Sequence, residues 1–325
     1  MSAMRIVFLG TGEFGAGTLR ALPLAGHEVR CVISQPDRPA GRGQVLRPTP
    51  IHALAVELAM RHVQAPDVNA LDLRDVLADA ELGVVVAFGQ KIGPGLLAAL
   101  PRGCVNLHAS LLPRFRGAAP YQWAILAGES VTGVTVFQID ERWDAGAIWA
   151  QAETPIGETE TADELHDRLA RLGAETTVAA LQRIASGDAR PTPQDASLAS
   201  RAPKLSKADA FVDFAGPAFM AARRINGLWS WPAAACEFVS AGGRRERVLL
   251  ARAAVATAHE RSTPARWQPG EFRDDLTVQA ADGAVRLIEV KPSGGRLMSF
   301  EAYANGRRIR PGDRLVRASA VESRT

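Results

Sequence analysis

The first half of the chain alternates short apolar runs with stretches of helical periodicity. Met4–Leu9 and Leu82–Phe88 are apolar and rich in β-branched residues, which is typical of strands buried on both faces of a parallel sheet. Glu28–Ile33 predicts another strand, and Ile51–Arg61 has the apolar spacing of an amphipathic helix. This alternation up to about residue 150 predicts an α/β fold with a Rossmann-like, doubly wound and mainly parallel sheet.

The second half has a different pattern. Thr161 to Glu164 form a capping box that should open a long helix ending near Ser186. Asp209–Ile225 suggests one more helix, and short strands divided by glycine turns follow it, as in a small β barrel. These strands are predicted at Ala233–Val239, Arg247–Ala254, Thr277–Ala280 and Val285–Lys291. We therefore expect an α/β domain over residues 1–188, a polar linker over 189–207, and a barrel domain over 208–318.

Composition narrows the class of protein. A chain of 325 residues with 47% hydrophobic residues has room for about two domains and a sizeable core. The sequence contains no apolar run of ~18 residues, so we expect no membrane partner. Its three cysteines are widely spaced, form no metal motif and suggest a reducing compartment. Cytoplasmic localisation is the expectation.

Charge is distributed unevenly along the chain. Residues 201–325 contain 21 Lys and Arg against 13 Asp and Glu, a net charge of +8. Residues 1–200 hold the remaining 17 basic and 22 acidic residues, a net charge of −5. Such asymmetry suggests a nucleic-acid partner for the basic part. An arginine-rich, solvated surface explains the same charge equally well.

Two polar side chains share one face of a buried strand at Cys104–His108. Residues two apart on a strand point the same way, so Asn106 and His108 form a polar pair. A lone histidine is more often a satisfied structural residue than a functional one. The apolar loop that follows, however, would suit a flat, partly aromatic ligand beside this pair. Asp144 follows the next predicted strand, near Gly146, and supplies a carboxylate that we expect to hold His108 and orient its ring.

Gly10–Gly15 matches the G-x-G-x-x-G spacing of a dinucleotide loop. The second strand, Glu28–Ile33, has no acidic residue at its end to hold a ribose, and Ser34-Gln35-Pro36-Asp37 follows there instead. A tight turn between strand and helix is the preferred interpretation.

A long loop is predicted at Ser34–Pro50, because four prolines and two glycines should prevent a regular helix or strand there. Three arginines make the loop basic, which suits contact with a phosphate backbone. An ordinary mobile loop is the alternative.

The segment NLHASLLPRFRGAAP, followed by Asp144-Ala145-Gly146, resembles the signature of the 10-formyltetrahydrofolate-dependent formyltransferases. This resemblance implies that Asn106, His108 and Asp144 are the catalytic residues. It also implies a folate site built from two segments. Those residues are Ser110, Leu111, Leu112 and Pro113, together with Phe88, Gly89, Gln90 and Ile92. The sequence departs from the family pattern at Gln90, Lys91, Trp143 and Ala145.

The string QPDRPAGRG within Ser34–Pro50 resembles the loop that tRNA-directed members of this family insert into the acceptor stem. The resemblance implies tRNA contacts by Arg38, Arg42 and Lys204, and a C-terminal domain of the OB type. It further implies 10-formyltetrahydrofolate as co-substrate and initiator methionyl-tRNA as acceptor. The expected enzyme is a monomer without a metal.

Two other interpretations stay open. One is a related folate enzyme that formylates an amino sugar or a purine precursor, or that hydrolyses formyl-folate. The Ser34–Pro50 loop and the Lys204–Lys207 segment argue against it. The other is a non-catalytic RNA-binding protein that uses the basic C-terminal half, and the intact Asn106, His108 and Asp144 set argues against that.

Overall fold

The computed structural model describes residues 3–40, 45–77, 79–187, 190–257 and 266–318. The chain divides into two compact units, each built from several segments. Unit 1 comprises Met1–Pro120, Thr132–Thr154 and His166–Pro203, and unit 2 comprises Tyr121–Val131, Pro155–Leu165 and Lys204–Thr325.

The strands and helices up to residue 202 alternate as the apolar pattern predicts. The strands are β1 Arg5–Gly10, β2 Glu28–Ser34, β3 Arg38–Ala40, β4 Val45–Arg47, β5 His62–Gln64, β6 Leu82–Val86, β7 Cys104–His108, β8 Arg116–Gly117, β9 Val131–Gln138, β10 Ile148–Pro155 and β11 Arg201–Ala202. The helices are α1 Ala16–Leu24, α2 Pro50–Glu57, α3 Leu73–Leu77, α4 Pro94–Ala99, α5 Pro120–Leu126 and α6 Ala162–Ser186.

Seven of these strands form one sheet in the order β10-β9-β7-β6-β1-β2-β5. The neighbours from β7 to β5 pair in parallel, and β9 pairs antiparallel with β7. The predicted doubly wound, mainly parallel sheet is therefore confirmed. Its apolar runs form the core, since every residue of β6 is buried. The chain order reverses between β1 and β6, and ligands on such sheets bind outside the carboxyl ends of the strands near this point.

The Ser34–Pro50 segment is not wholly irregular, contrary to the prediction. Its ends form an antiparallel hairpin in which β3 pairs with β4, so that Arg38 lies opposite Arg47. Proline is tolerated at Pro39 because this two-stranded ribbon leaves edges free of ladder partners. Asp37 closes the base of the hairpin, where its carboxylate accepts from the Thr49 amide at 3.0 Å and from His52 Nδ1 at 2.9 Å.

Unit 2 contains the barrel. Its strands are β12 Ala234–Val239, β13 Arg245–Val255, β14 Val278–Gln279, β15 Ala284–Pro292, β16 Met298–Ser299 and β17 Arg314–Arg317. They pair antiparallel in the order β14-β15-β13-β12-β17, with β16 on β15. The segment around Phe272 bonds to β14 on one side and reaches β17 on the other through a Glu271–Arg314 bridge. This segment nearly closes the sheet, so the expected OB-type barrel is confirmed.

Helices of unit 2 differ from prediction in two places. The helix expected over Asp209–Ile225 begins only at Ala218 and forms α7 Ala218–Leu228. Gly216 and Pro217 precede it, and proline favours the extended conformation that Pro217 adopts at the N-cap. A further helix, α8 Phe300–Arg307, is capped by the Ser299 hydroxyl and was not predicted.

The stretch predicted as a linker, 189–207, is hydrogen-bonded into unit 1 over part of its length. Thr192 exchanges two backbone hydrogen bonds with Ile148, and β11 pairs in parallel with β8. The functional boundaries at residues 188 and 207 remain a prediction. Among the described helices, none has the length and apolar character that a membrane span requires.

Arg252 holds two acidic side chains together in unit 2. Its guanidinium donates to both carboxylate oxygens of Glu164, at 2.9 and 2.6 Å, and to Glu289 at 2.7 Å. Glu164 also accepts from the Thr161 amide, as the capping box predicts. The hydrogen bond from Arg252, which outweighs the opposing effect of burial, lowers the pKa of Glu164 from 4.5 to about 2.

Glu164→Gln should lower the free energy of unfolding by about 1 kcal/mol at pH 7, since the Glu164 side chain is 48% exposed and solvent screens the pair. The folded-state pKa lies below the unfolded value, so this contribution is complete above pH 4.5 and is lost as pH falls toward 2. Urea unfolding at several pH values measures it. Glu153→Gln, at an exposed position without an ion pair among the described residues, is the control. A difference that stays constant from pH 7 to about pH 3 would contradict the assignment.

Candidate active site

Asn106 and His108 lie on the same face of β7, as their spacing predicts. Asn106 stands in register between Val85 of β6 and Phe137 of β9, and His108 lies opposite Thr135 of β9. Asn106 is partly buried and His108 is buried. The carboxyl end of this strand therefore presents an amide and an imidazole in neighbouring rows of the sheet.

The imidazole of His108 is oriented by the backbone. Its Nε2 lies 2.9 Å from the carbonyl oxygen of Phe115. Because a carbonyl only accepts, Nε2 carries the proton and donates it. This bond leaves Nδ1 as the ring nitrogen available for other chemistry.

Asp144 is held by a different group of the same backbone segment. Its Oδ2 accepts from the amide of Gly117 at 2.8 Å, and the residue adopts a left-handed φ of 50°. We expected Asp144 to hold His108, but no direct hydrogen bond joins them among the described residues. Each is instead bound to one end of Phe115–Gly117, which gives the two side chains a common support.

Gly117 is required for that geometry. Its φ is 130°, and a Cβ atom added there would lie 2.5 Å from the carbonyl oxygen of Ala202. This close approach accompanies the β8–β11 pairing, in which Gly117 is in register with Ala202. A side chain at this position would have to displace the amide that Asp144 uses.

Gln194 supports the Asp144 loop and was not recognised from the sequence. Its Nε2 donates to the carbonyl oxygens of Asp144, at 3.0 Å, and of Gly146, at 2.8 Å. Its Oε1 accepts from Arg116 at 2.6 Å. Since Gln194 lies fifty residues from Asp144 in the sequence, no local pattern could have indicated this contact.

A cleft opens over Asn106 at the carboxyl ends of β6 and β7. The empty space is about 430 Å³, including solvent at its mouth. Its lining residues are Val85, Gln90, Lys91, Ile92, Asn106, Phe137, Ile139, Asp140, Arg142, Trp143 and Asp144. These are five apolar and six polar or charged residues, a mixture that suits a flat heteroaromatic ring that packs on the apolar groups and hydrogen-bonds through its edge.

The cleft contains some of the predicted folate residues and not others. Gln90 and Ile92 line it, together with Asn106 and Asp144 of the expected catalytic set. The lining does not include Phe88, Gly89 or the segment Ser110–Pro113, nor does it include His108. The roles of these residues stay predictions.

Gln90 has a structural task that accounts for a polar residue in the cleft wall. Its Oε1 accepts from the Val68 amide at 2.7 Å, and its Nε2 donates to the Ala65 carbonyl at 2.8 Å. The amide therefore fixes the cleft wall to the segment after β5. Trp143, another of the four departures from the family pattern, is 65% exposed at the cleft.

Thr135 anchors the Ser110–Pro113 loop. Its hydroxyl donates to the Ser110 carbonyl at 2.7 Å and accepts from the Leu112 amide at 3.0 Å. Gln151 donates both to this hydroxyl and to the Leu112 carbonyl. The loop is thus fixed to β9 and β10 beside the His108 row.

Two of the three residues predicted to contact tRNA are among the described residues, and both are exposed. Arg38 is exposed on β3, and Lys204 is exposed in unit 2. Arg42 lies outside the described residues.

The glycine loop after β1 fits the preferred tight turn, because the amides of Thr11 and Gly12 both donate to the Ala87 carbonyl, at 3.3 Å.

The strand that contains Asn106 begins with a buried cysteine. Burial raises the pKa of Cys104, at the start of β7, to about 12, so its thiol is neutral and a poor nucleophile. Among the described residues, no group of three His, Cys, Asp or Glu side chains is arranged to hold a metal ion.

The sequence matches two family models. Residues 4–181 match the formyl transferase model, and residues 204–308 match the model of the formyl transferase C-terminal domain. The methionyl-tRNA formyltransferase of Heliobacterium modesticaldum is 40% identical over 96% of this chain and 100% of its own length. That of Halorhodospira halophila is 41% identical over 96% of this chain and 99% of its own length.

Solved structures share the fold at low sequence identity. An N-formyltransferase from Helicobacter canadensis, in complex with folinic acid and dTDP-3-aminofucose, has a TM-score of 0.64 at 16% identity. It covers 88% of this chain and 99% of its own. HypX from Aquifex aeolicus, in complex with tetrahydrofolic acid, has a TM-score of 0.59 at 22% identity over 93% of this chain and 47% of its own.

Gly117→Ala should lower the free energy of unfolding by about 2 kcal/mol, because the new methyl group meets the Ala202 carbonyl and the φ angle disfavours a side chain. Urea unfolding measures the change. Gly95→Ala is the matched control, since Gly95 lies in α4 with no atom near a new Cβ. Equal stabilities of the two variants would contradict the account of Gly117.

Proposed function

Because this chain belongs to the formyl transferase family, we propose that it transfers the formyl group of 10-formyltetrahydrofolate to the α-amine of methionine on initiator tRNA. The product is N-formylmethionyl-tRNA for translation initiation. The observation that carries this proposal is the 40% identity to methionyl-tRNA formyltransferases along nearly the whole chain.

The cleft over Asn106 supports a folate co-substrate. Val85, Ile92 and Phe137 provide apolar walls for a pterin ring, and Asp140 and Gln90 add polar groups beside them. A ring in this cleft would lie next to Asn106 and Asp144, so the formyl carbon would be close to both. The exposed Trp143 offers an aromatic face at the same cleft.

The chemistry is acyl transfer. The neutral amine of methionine attacks the formyl carbon, and a new C–N bond gives a tetrahedral intermediate with negative charge on oxygen. The bond from that carbon to N10 of the folate then breaks, and the proton lost by the attacking nitrogen ends on N10. Asn106 donates an amide N–H to the developing oxyanion. This stabilisation is strongest when the donor already points at the oxyanion position before the reaction begins.

His108 and Asp144 complete the site. With Nε2 bound to the Phe115 carbonyl, Nδ1 is the ring nitrogen of His108 left to donate to the oxyanion when protonated. Asp144 has one carboxylate oxygen fixed by Gly117, and its other oxygen relays the proton from the amine toward N10, through a water molecule where needed.

The tRNA acceptor is supported by the basic hairpin β3–β4 and by the charge of residues 201–325. Arg38 and Arg47 lie opposite each other on the hairpin, and phosphate would relieve the repulsion between them. Arg42 and Lys204 add contacts to the acceptor stem. The enzyme acts as a monomer in the cytoplasm, where its three buried, free cysteines stay reduced.

The acceptor is identified by incubating the protein with labelled 10-formyltetrahydrofolate and one of three acceptors. These are methionyl initiator tRNA, a UDP-amino sugar and glycinamide ribonucleotide. We expect label in the tRNA fraction and at least about 10³-fold lower kcat/KM for the two small acceptors, since neither can use the hairpin. Preferred labelling of a small acceptor would reject this function while leaving the family intact.

Asn106→Ala, His108→Ala and Asp144→Ala should each lower kcat by roughly 10²-fold or more, the scale of lost oxyanion or acid–base catalysis. Single-turnover formylation of methionyl-tRNA measures this. Glu141→Gln is the control, because Glu141 is exposed, lies three residues from Asp144 in the sequence and does not line the cleft. We expect it to stay within about threefold of the unmodified enzyme. Near-normal turnover in all three alanine variants would exclude this site.

A further inference from the structure

Gln35 uses both ends of its side-chain amide to join two separate segments. The residue lies between β2 and the hairpin β3–β4. Its Nε2 donates to the Phe88 carbonyl at 2.7 Å, and its Oε1 accepts from Arg38 Nη2 at 2.5 Å. One partly buried side chain thus links the hairpin to the segment after β6.

The Phe88 end of this link is firmly fixed. The Phe88 carbonyl also accepts from the Thr11 hydroxyl at 3.1 Å, and that hydroxyl accepts from the backbone N–H of Gln35 at 3.2 Å. A Cβ atom at Gly89 would lie 2.7 Å from Gln35 Nε2, so the glycine leaves room for the amide. Phe88 and Gly89 lead directly into Gln90–Ile92, which form one wall of the cleft.

The Arg38 end is exposed and would otherwise be free to sample many rotamers. Arg38 belongs to β3 and stands opposite Arg47, so like charges face each other across the hairpin. Among the described residues, Arg38 has no carboxylate within ion-pair distance. The neutral Gln35 oxygen orients the guanidinium without cancelling its charge, which preserves its attraction for phosphate.

We propose that Gln35 is a positioning residue that sets the basic hairpin at a fixed place relative to the cleft. This inference rests on the proposed function, and it adds a residue to which no role has been assigned. An acceptor stem held by Arg38 is thereby held at a set distance from the cleft wall. Its aminoacyl end then reaches the formyl carbon in a reactive geometry, for which small misplacements are costly.

Two substitutions separate the two ends of the link. Gln35→Met keeps the length of the side chain and removes both hydrogen bonds. Gln35→Glu keeps an acceptor for Arg38 but replaces the donor to Phe88 by an oxygen that faces a carbonyl. We expect Gln35→Met to raise KM for methionyl-tRNA and to lower kcat, each roughly fivefold to tenfold. Gln35→Glu should lower kcat roughly tenfold and also raise KM, because its carboxylate offsets the positive charge of Arg38.

A short acceptor distinguishes positioning from a general defect. The methionyl ester of adenosine has the reacting amine but no stem for the hairpin to hold. Both Gln35 variants should formylate it within about twofold of the unmodified enzyme. Gln64→Met is the matched control, because the Gln64 side-chain amide donates to Asp37, and among the described residues it is hydrogen-bonded to neither Phe88 nor Arg38. Its kcat and KM for methionyl-tRNA should change by less than about twofold.

Either of two results would overturn this role. One is a Gln35→Glu enzyme with unchanged kcat on methionyl-tRNA, which would show that the bond to Phe88 is not used. The other is an equal loss of rate on the tRNA and on the methionyl ester, which would place the effect in the cleft itself. An unmodified protein that formylates neither acceptor would instead reject the proposed function, and the role of Gln35 with it.

Discussion

The candidate site depends on one short stretch of backbone, Phe115–Gly117. Its carbonyl at Phe115 accepts a hydrogen bond from His108 Nε2, and its amide at Gly117 donates one to Asp144. Both groups are rigid because β8 pairs with β11, and Gly117 allows the two chains to approach closely. The protein therefore orients an imidazole and a carboxylate through main-chain groups, which lose little entropy when they hold a side chain in place. If His108 and Asp144 were hydrogen-bonded to each other instead, fewer of their polar atoms would be available to bind the substrate.

The strand order of the sheet reverses between β1 and β6, and the segments proposed to bind RNA and folate meet at this point. The loops after β1, β2 and β6 converge on the Phe88 carbonyl, which receives hydrogen bonds from Thr11 and Gln35. One of these loops continues into the basic hairpin and another into the cleft wall. Within unit 1, the segment proposed to hold the RNA and the segment proposed to hold the folate thus share one anchor.

The sequence was informative where local pattern decides structure. The strands of the parallel sheet were predicted because buried strands need continuous apolar runs, and Asn106 and His108 were paired because side chains two apart share a strand face. The hairpin β3–β4 was missed because its pairing joins two short segments that each contain a proline or lack an alternating pattern of their own. The contacts of Gln194 and Gln35 join residues about fifty positions apart, and periodicity contains no information on such contacts. The expected Asp144–His108 hydrogen bond is not observed, because each side chain is bound to a backbone group of Phe115–Gly117 instead. The sequence pattern contains no information on these contacts either.

The burial of all three cysteines makes the protein a convenient background for site-specific labels. Cys31, Cys104 and Cys236 are fully buried, and burial raises the pKa of Cys104 and Cys236 to about 12. Because only a thiolate reacts readily, maleimide reagents at neutral pH should leave these residues unmodified while the chain is folded. A single cysteine placed at Val45, which is 60% exposed on the hairpin, would then carry a fluorophore alone. The native thiols need not be removed to follow this hairpin optically.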